Sequence, residues 1–451
     1  MIRVTKTKIV EERLKMDFST KAVTEISKLV VGEIGEQIAT GKIKDLQGLE
    51  NGIRELVKGI GQQAYGEVLE KEDSKHGTRV SCECGVQARR ISKQEAKMLT
   101  VFGWVSYRRS YYGCPHCGKK QYQLDQDWDI RPGQVSPVLG ILLAVAGVNI
   151  AFEKAQRSIE KFLLIEVSDN TIRKQTQLMG EKQAQREAQW IQDSQDETWL
   201  QNRERTIEEV SDRLYGSMDG AQVPIGEEWR ELKSLSWYRV AAVYGQEQHK
   251  AQEISYHTEI APAQEFGQLL WATGVRRLAD KAQELIFVCD GAVWIWKLVS
   301  HYFPDAVQIV DWYHACEYLT PIADAVFSQD AERQTWLQKI KDWLWYGKIK
   351  KVIRACQLYI HHRLAADAAQ RAVTYYTNNQ HRMDYAEYRK KGYWIGSGTV
   401  ESACKQIATA RLKIAGARWT FPGAISTAKA RSAWLSDGNS FDTLAQMPLA
   451  S

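Results

Sequence analysis

The sequence predicts a multidomain α+β protein, and three observations carry that reading. Apolar residues recur at helical spacing near the N-terminus, two cysteine pairs bracket a short alternating and aromatic segment, and from residue 211 onward strand-like and helical runs follow one another in the order of a mixed sheet. With 451 residues the chain is long enough for roughly two to four domains and at least one sizeable core.

Residues 1–77 read as an N-terminal helical region, in which Ile26, Leu29, Val30 and Ile34 recur at spacings of three and four from about residue 10 to residue 70. Gly41-Lys42-Ile43 and Gly59-Ile60-Gly61 read as breaks between helices. Residues 78–130 change to short strands, with Val101 to Tyr107 alternating and aromatic. Residues 131–210 return to helix. Pro137 suits a first helical turn, and Ser168-Asp169-Asn170-Thr171 reads as a cap opening a helix from Ile172 to Met179. Together with a preceding helix from Phe152 to Leu164, this gives a helix-turn-helix-like (HTH-like) outline for a DNA-binding region, which an ordinary helical hairpin fits equally well.

From 211 to 436 the pattern is α/β. Strand-like runs at Tyr215 to Asp219, Ser236 to Tyr244 and Ile254 to Thr258 precede a helix around Ala263 to Ala272. A buried strand from Leu285 to Cys289, a helix from Val293 to Phe303 and a strand from Val307 to Val310 follow. Three strands, helix, strand, helix, strand is the element order of an RNase-H-like α/β domain. Residues 315–390, rich in Lys and in aromatics such as Trp336, Trp343 and Trp345, interrupt that order as an all-α insertion. Residues 437–451 read as a loosely packed C-terminal tail.

No stretch reaches the roughly 18 apolar residues that a membrane helix needs; the best run, Val138 to Val148, is about half as long. Met1 to Lys6 runs directly into alternating charge, without the apolar segment of a secretion signal. Eight cysteines in such a chain read as thiols or metal ligands in a reducing compartment, which predicts a cytoplasmic protein.

Cys82-Glu83-Cys84 and Cys114-Pro115-His116-Cys117 form two knuckles, and four thiolates suit a closed tetrahedral zinc site of zinc-ribbon type. The first knuckle has one intervening residue where two are commoner, and His116 is an alternative to one sulfur. The net charge of +5 is too small to imply a polyanionic partner by itself. Between Gly85 and Lys120, however, Arg89, Arg90, Lys93, Lys97, Arg108, Arg109, Lys119 and Lys120 face one acid, Glu95, with five aromatic residues interleaved. Such a patch suits phosphate contacts that weaken steeply with salt, and a merely solvated face is the alternative.

Three acids stand where an RNase-H-like domain would place metal ligands: Asp219 in Met218-Asp219-Gly220, Asp290 ending Ile286-Phe287-Val288-Cys289-Asp290, and Glu401 opening a helix after Ile395-Gly396-Ser397-Gly398-Thr399-Val400. A carboxylate at the tip of a buried strand is poorly solvated unless a cation shares the site. Two hard cations about 3.5–4 Å apart serve in-line attack on a phosphodiester, and carboxylates are the ligands Mg²⁺ takes.

At these residues the chain resembles insertion-sequence transposases of the ISKra group, related to the Mutator-like and hAT DDE enzymes. The matching blocks are Met218-Asp219-Gly220, Cys289 to Trp296, Phe303 to Ala315 with Asp311-Trp312-Tyr313-His314 at its end, and Arg382-Met383-Asp384-Tyr385 leading into Ile395 to Lys405. The resemblance implies a DDE triad of Asp219, Asp290 and Glu401 holding Mg²⁺ or Mn²⁺, with Asp311 and His314 as an additional motif before a helical insertion. Because Asp311 also ends a strand, it is the alternative second ligand. The implied activity is cleavage at transposon ends and joining to target DNA by a homo-oligomer, at least a dimer, associated with a bacterial nucleoid. Lys405, four residues after Glu401, suits a phosphate contact or a helix ion pair. Arg411, Lys413, Arg418 and Trp419 suit DNA contact or a solvated helix. A catalytically inactive DNA-binding regulator and an RNase-H-like nuclease remain the alternatives.

Overall fold

The computed structural model describes residues 19–131, 133–205, 212–242, 249–396, 398–438 and 440–447. The chain divides into two compact units: Met1–Gly140 with Gln156–Val167, and Ile141–Ala155 with Ser168–Ser451.

In the first unit, the Ser19 hydroxyl accepts the Ala22 N–H at 3.2 Å and opens helix α1 (Thr20–Ala39), while Asp45 accepts the Gly48 N–H at 2.7 Å and opens α2 (Leu46–Ser74). The expected break at Gly59-Ile60-Gly61 does not occur, because α2 runs straight through it. Gly61 serves close approach instead: a Cβ there would stand 2.4 Å from the Phe102 ring. Strands β1 (Arg79–Ser81), β2 (Gln87–Thr100), β3 (Gly103–Gly113) and β4 (Lys120–Gln121) form an antiparallel sheet in the order β1-β2-β3-β4. Val101 and Phe102 make the β2–β3 turn, so the strand expected from Val101 begins two residues later.

Along β3 the period is two: Val105 and Tyr107 are buried, while Trp104, Ser106 and Arg108 are exposed. Leu69, Ala96, Met98 and Tyr107 pack with Leu124 from the short helix α3 (Gln123–Asp127). Buried Asp73 of α2 accepts both the backbone N–H and the hydroxyl of Ser110, at 2.8 and 2.7 Å, so helix and sheet are tied by a satisfied polar contact.

The boundary between the units falls within helices α4 (Pro137–Asn149) and α5 (Phe152–Leu163). In the second unit, Ser168 accepts the Thr171 N–H at 3.1 Å and opens α6 (Asp169–Asp193), which extends far beyond the expected end at Met179. After α7 (Glu197–Arg205) come β5 (Arg213–Ile225), β6 (Glu228–Ala242), β7 (His249–Glu259), α8 (Ala263–Arg276), β8 (Glu284–Cys289), α9 (Val293–Tyr302) and β9 (Val307–Val310). The β6 strand was expected to reach Tyr244; Val243 and Tyr244 lie outside the described residues. The sheet order is β7-β6-β5-β8-β9, with β5, β6 and β7 antiparallel and β5, β8 and β9 parallel.

The helical insertion comprises α10 (Trp312–Glu317), α11 (Thr320–Val326), α12 (Asp330–Trp345), α13 (Ile349–Gln357), α14 (Ala366–Asn379) and α15 (Tyr385–Lys390). Its Leu344, Ala372 and Tyr376 share one apolar core with Phe287, Val299 and Ile309 of the sheet and α9. Helix α16 (Gly398–Ala403) continues as a π-helix (Cys404–Leu412), whose last wide turn is closed by the Lys413 N–H donating to the Ala408 carbonyl at 2.9 Å. Ala403, Ile407 and Leu412 join Val223, Leu232 and Tyr256, of β5, β6 and β7, in a second core.

Helix α17 (Phe421–Leu435) lies against α6 so closely that a Cβ on Gly180 would stand 1.8 Å from the Ser426 carbonyl oxygen. Gly180→Ala is therefore expected to lower the melting temperature. Its helix-propensity gain of about 1 kcal/mol is outweighed by overpacking of about 1–3 kcal/mol or more. A melting temperature equal to or above wild type would show that the two helices separate freely. The tail expected to pack loosely instead forms α18 (Ser440–Gln446), because Phe441 and Leu444, three apart, share one face and bury against Ala144, Met179 and Ala430. No helix among the described residues is long and apolar enough to cross a membrane.

Candidate active site and metal centre

Parallel pairing brings acids from distant sequence positions to one level. β5 and β8 pair from Arg213↔Glu284 to Gly216↔Phe287, and β8 and β9 pair from Ile286↔Val307 to Cys289↔Val310. Carried onward, these offsets set Asp219, Asp290 and Asp311 side by side across three neighbouring strands. Their charges meet at Cys289, a buried thiol pushed well above its ordinary value by burial first and then, against the Met218 N–H, by Asp290, Asp219 and Asp311.

The three acids are held differently. Asp311 is fully buried, and its Oδ1 accepts the His314 N–H at 2.6 Å, capping α10. Asp290 is half-buried just beyond β8, with Oδ1 accepting the Ala292 N–H at 2.9 Å. Burial pushes the Asp290 carboxyl up; the Ala292 N–H opposes this, the charge of Asp219 adds to it, and His314 pulls the other way. Asp219 accepts the Gly220 N–H at 2.7 Å. Among the described residues no lysine or arginine pairs with Asp219 or Asp290. A divalent cation would offset both the repulsion and the desolvation, although among the described residues these acids do not bring three ligand atoms together.

Two contacts at this site carry no signal in the sequence. The Tyr375 hydroxyl, from the insertion, donates to the Asp290 carbonyl at 2.8 Å, with its ring stacked on Tyr318 at 3.9 Å between centroids. Cys404 is buried, and its thiol is pushed up by burial first and then by Asp219, with which it forms a hydrogen bond. Glu401 lies in α16, one turn before Cys404, and its own side chain is outside the described residues. His314 is half-buried with Nδ1 3.3 Å from a Glu317 carboxylate oxygen, and Lys405 is exposed.

The second cluster is Cys82, Cys84, Cys114 and Cys117, whose sulfurs all lie within 4.8 Å of one another; His116 is not in the group. Cys82 and Cys117 are 3.5 Å apart, as are Cys84 and Cys114. Metal–sulfur bonds of about 2.3 Å in a tetrahedron set sulfurs about 3.8 Å apart, so the cluster can hold a metal ion and is compatible with structural zinc. The Cys117 N–H, joined by that of His116, holds the Cys114 thiol at about 6 against the effect of burial. Cys114→Ser is expected to abolish metal binding measured by elemental analysis, because a closed site lacking one thiolate holds zinc poorly. An unchanged metal content would remove Cys114 from the ligand set.

Residues 40–203 match an uncharacterised protein family, UPF0236. No curated protein matches the chain. The UPF0236 match spans the four cysteines and ends before β5, so the carboxylates lie outside it.

Of the basic residues inside the UPF0236 segment, Arg89, Arg90, Arg108, Lys119 and Lys120 are exposed, and Lys119 pairs with Glu83 at 2.5 Å. Arg79 and Arg89 stand directly opposite each other across β1 and β2, a like-charge pair that weakens the sheet unless an anion lies over it. Sequence counting missed Arg79 because it lies before the first cysteine.

Arg109 and Arg411 correct the expectation of DNA contact, since neither presents its guanidinium to solvent. Arg109 follows the inward parity of Val105 and Tyr107, ion-pairs with Asp125 and lies 3.6 Å over the Tyr122 ring. Arg411 is 2% exposed; its Nε donates to the Gly147 carbonyl at 2.7 Å, between the Phe152 and Trp419 rings. Burial first, then Arg431, lowers its pKa to about 10. Lys413 and Arg418 remain exposed, whereas Trp419 is buried.

Proposed function

We propose that the chain is a divalent-metal-dependent DNA transposase that cleaves at the ends of a mobile element and joins them to target DNA, with Asp219, Asp290 and Glu401 as its carboxylate triad. The observation that carries this reading is the level row of acids across neighbouring parallel strands, Asp219 within β5 and Asp290 and Asp311 just past β8 and β9, with the helix bearing Glu401 returning to Asp219 through Cys404. The strand order β7-β6-β5-β8-β9, with β5 central, supports an RNase-H-like domain whose first strand carries Asp219, although it runs on to Ile225 rather than ending there as expected, and whose fourth leads into Asp290. The helices between β9 and α16 stand where the ISKra-type and hAT-type resemblance implies an insertion.

In this reading Asp219, Asp290 and Glu401 would together hold the divalent cations. Bound Mg²⁺ or Mn²⁺ supplies activation of the attacking oxygen and neutralisation of the leaving one. Asp311 is a cap rather than a ligand, since it is wholly buried and already accepts the His314 N–H. Tyr375 and the Ala292 N–H fix the Asp290 turn, so that the carboxylate arrives pre-positioned. The cysteine module holds zinc and displays Arg79, Arg89, Arg90, Arg108 and Lys120 to the DNA backbone, and two DNA ends imply at least a dimer in the nucleoid.

The test is excision and joining of a marker flanked by the DNA that borders this gene, in Mg²⁺, with end binding measured in parallel. Joined products support the transposase. Specific binding without cutting would replace it with a DNA-binding regulator, and cutting without joining with a nuclease.

A further inference from the structure

Beside Asp290, and unused in the reading above, lies a hollow of about 720 Å³ whose lining includes Gly291, Trp296, Lys297, His301, His381 and Arg382. Across α9 a second hollow of about 730 Å³ is also lined by Lys297 and His301. These two residues, four apart on α9, therefore form a ridge between the hollows. Neither hollow is lined by an aspartate or glutamate, although the chain has 55 such residues. The polar groups that remain are overwhelmingly donors: a lysine, an arginine, two histidines, Ser300 and the Tyr375 hydroxyl, with Asn378 and Asn379.

The fixed charges come from Lys297 and Arg382. Lys297 is exposed, and among the described residues it has no carboxylate partner. Arg382 is held in place without a carboxylate: its Nε donates to the Gln308 side-chain oxygen at 2.7 Å, and its guanidinium lies 4.7 Å from the Trp296 ring centre. Burial, then Arg382 itself, pushes His381 below its ordinary value, so this residue enters as a neutral donor. Cations gathered in an acid-free cleft, rather than scattered on a surface, favour an extended anion over a compact partner. Gly291 joins the cleft to Asp290 directly, and Tyr375 spans both, lining the cleft while its hydroxyl holds the Asp290 carbonyl.

We infer that this cleft seats the phosphodiester backbone of the DNA strand that enters the carboxylate site, with Lys297 as its principal phosphate contact and His301 beside it on the ridge. The inference rests on the DNA-transposase reading and deepens it. It assigns the strand's path past Asp290 to α9 and α14 of the catalytic unit, independently of the cysteine module.

The test titrates a labelled duplex from the DNA bordering the gene against the full-length protein over a range of NaCl concentrations, for wild type, Lys297→Gln and Lys297→Glu. Because Lys297 is exposed, all three should melt alike, which checks the fold. Each neutralised phosphate contributes about 0.9 to the slope of log affinity against log salt. Lys297→Gln is expected to make that slope shallower by about one, and Lys297→Glu to weaken binding further at every salt concentration. A steep wild-type slope that both variants reproduce overturns the cleft assignment and leaves the DNA reading standing. A wild-type protein that binds no duplex overturns the reading itself, and the cleft with it.

Discussion

Asp219→Asn and Asp290→Asn are each expected to lower DNA cleavage and joining about a thousandfold or more, while end binding in the absence of divalent metal is retained. Asparagine preserves shape and removes one negative charge, so the change falls on cation binding. Lewis-acid stabilisation of a phosphoryl transition state is worth several kcal/mol, and about 4 kcal/mol corresponds to three powers of ten. Binding should strengthen, because the negative charges of this row repel a polyanion until a cation arrives. Asp311→Asn is the informative contrast. Its carboxylate caps α10, and asparagine caps a helix about as well as aspartate, so the expected effect is a small loss of stability with residual joining activity. An active Asp290→Asn beside a dead, folded Asp311→Asn would exchange the two roles.

Lys429→Met is expected to destabilise the second unit by about 3–5 kcal/mol, the largest effect we anticipate from a substitution outside the acids. The Lys429 ammonium is buried in α17, 2.5 Å from a Glu187 oxygen on α6 and 2.8 Å from a Glu259 oxygen on β7. It also donates to the Thr258 carbonyl at 3.0 Å, and His257 Nδ1 lies 2.9 Å from Glu187. Removing the ammonium leaves Glu187 charged and dry, whereas Lys429→Met combined with Glu187→Met should recover most of the loss. Urea midpoints of the two singles and the double give the coupling directly, and additive losses would mean the pair is not coupled.

The same cluster sets a pH window. Burial opposes ionisation of Glu187, but Lys429, and then His257, hold its pKa at about 2. A carboxyl depressed on folding contributes stability that is full above the ordinary carboxylate range and fades as pH falls toward 2. Lys429 is pulled down by burial but raised overall by Glu187 and then Glu259. Its contribution is therefore full below the ordinary lysine range and fades only as pH rises through its elevated value. Wild-type urea midpoints should fall below about pH 4 by more than those of the double variant; parallel curves would exclude the cluster as the cause.

The elements best read from sequence were those whose signal is local. Short apolar runs closed by Asp, Gly or Pro gave β8, α9 and β9 almost to the residue, and the cysteine spacing gave the four-thiol cluster. What failed was decided by contacts across the fold. Gly61 looks like a helix break but is the place where a ring meets a helix, and Arg109 looks like surface charge until strand parity turns it inward. Helix α6 was cut short because its interior holds Thr176, Gln183 and Glu187, polar residues buried by α17 and β7, so no apolar stripe marks it. Tyr375 and Cys404 reach the acids only after the insertion has folded back, and no spacing rule anticipates that.

The π-helix that follows Glu401 has a genetic consequence. Each of its turns holds more residues than an α-helical turn, so the segment from Cys404 to Leu412 carries surplus chain that an α-helix would not need. Loss of a single codon there would be absorbed as the coil tightens toward the ordinary form, with the flanking segments held near their places. The helix bearing Glu401 would then still meet Asp219 and the second core in the same register. An in-frame deletion of one amino acid in this segment is thus expected to be tolerated, where the same deletion in an ordinary helix would turn one flank against the other by about 100°.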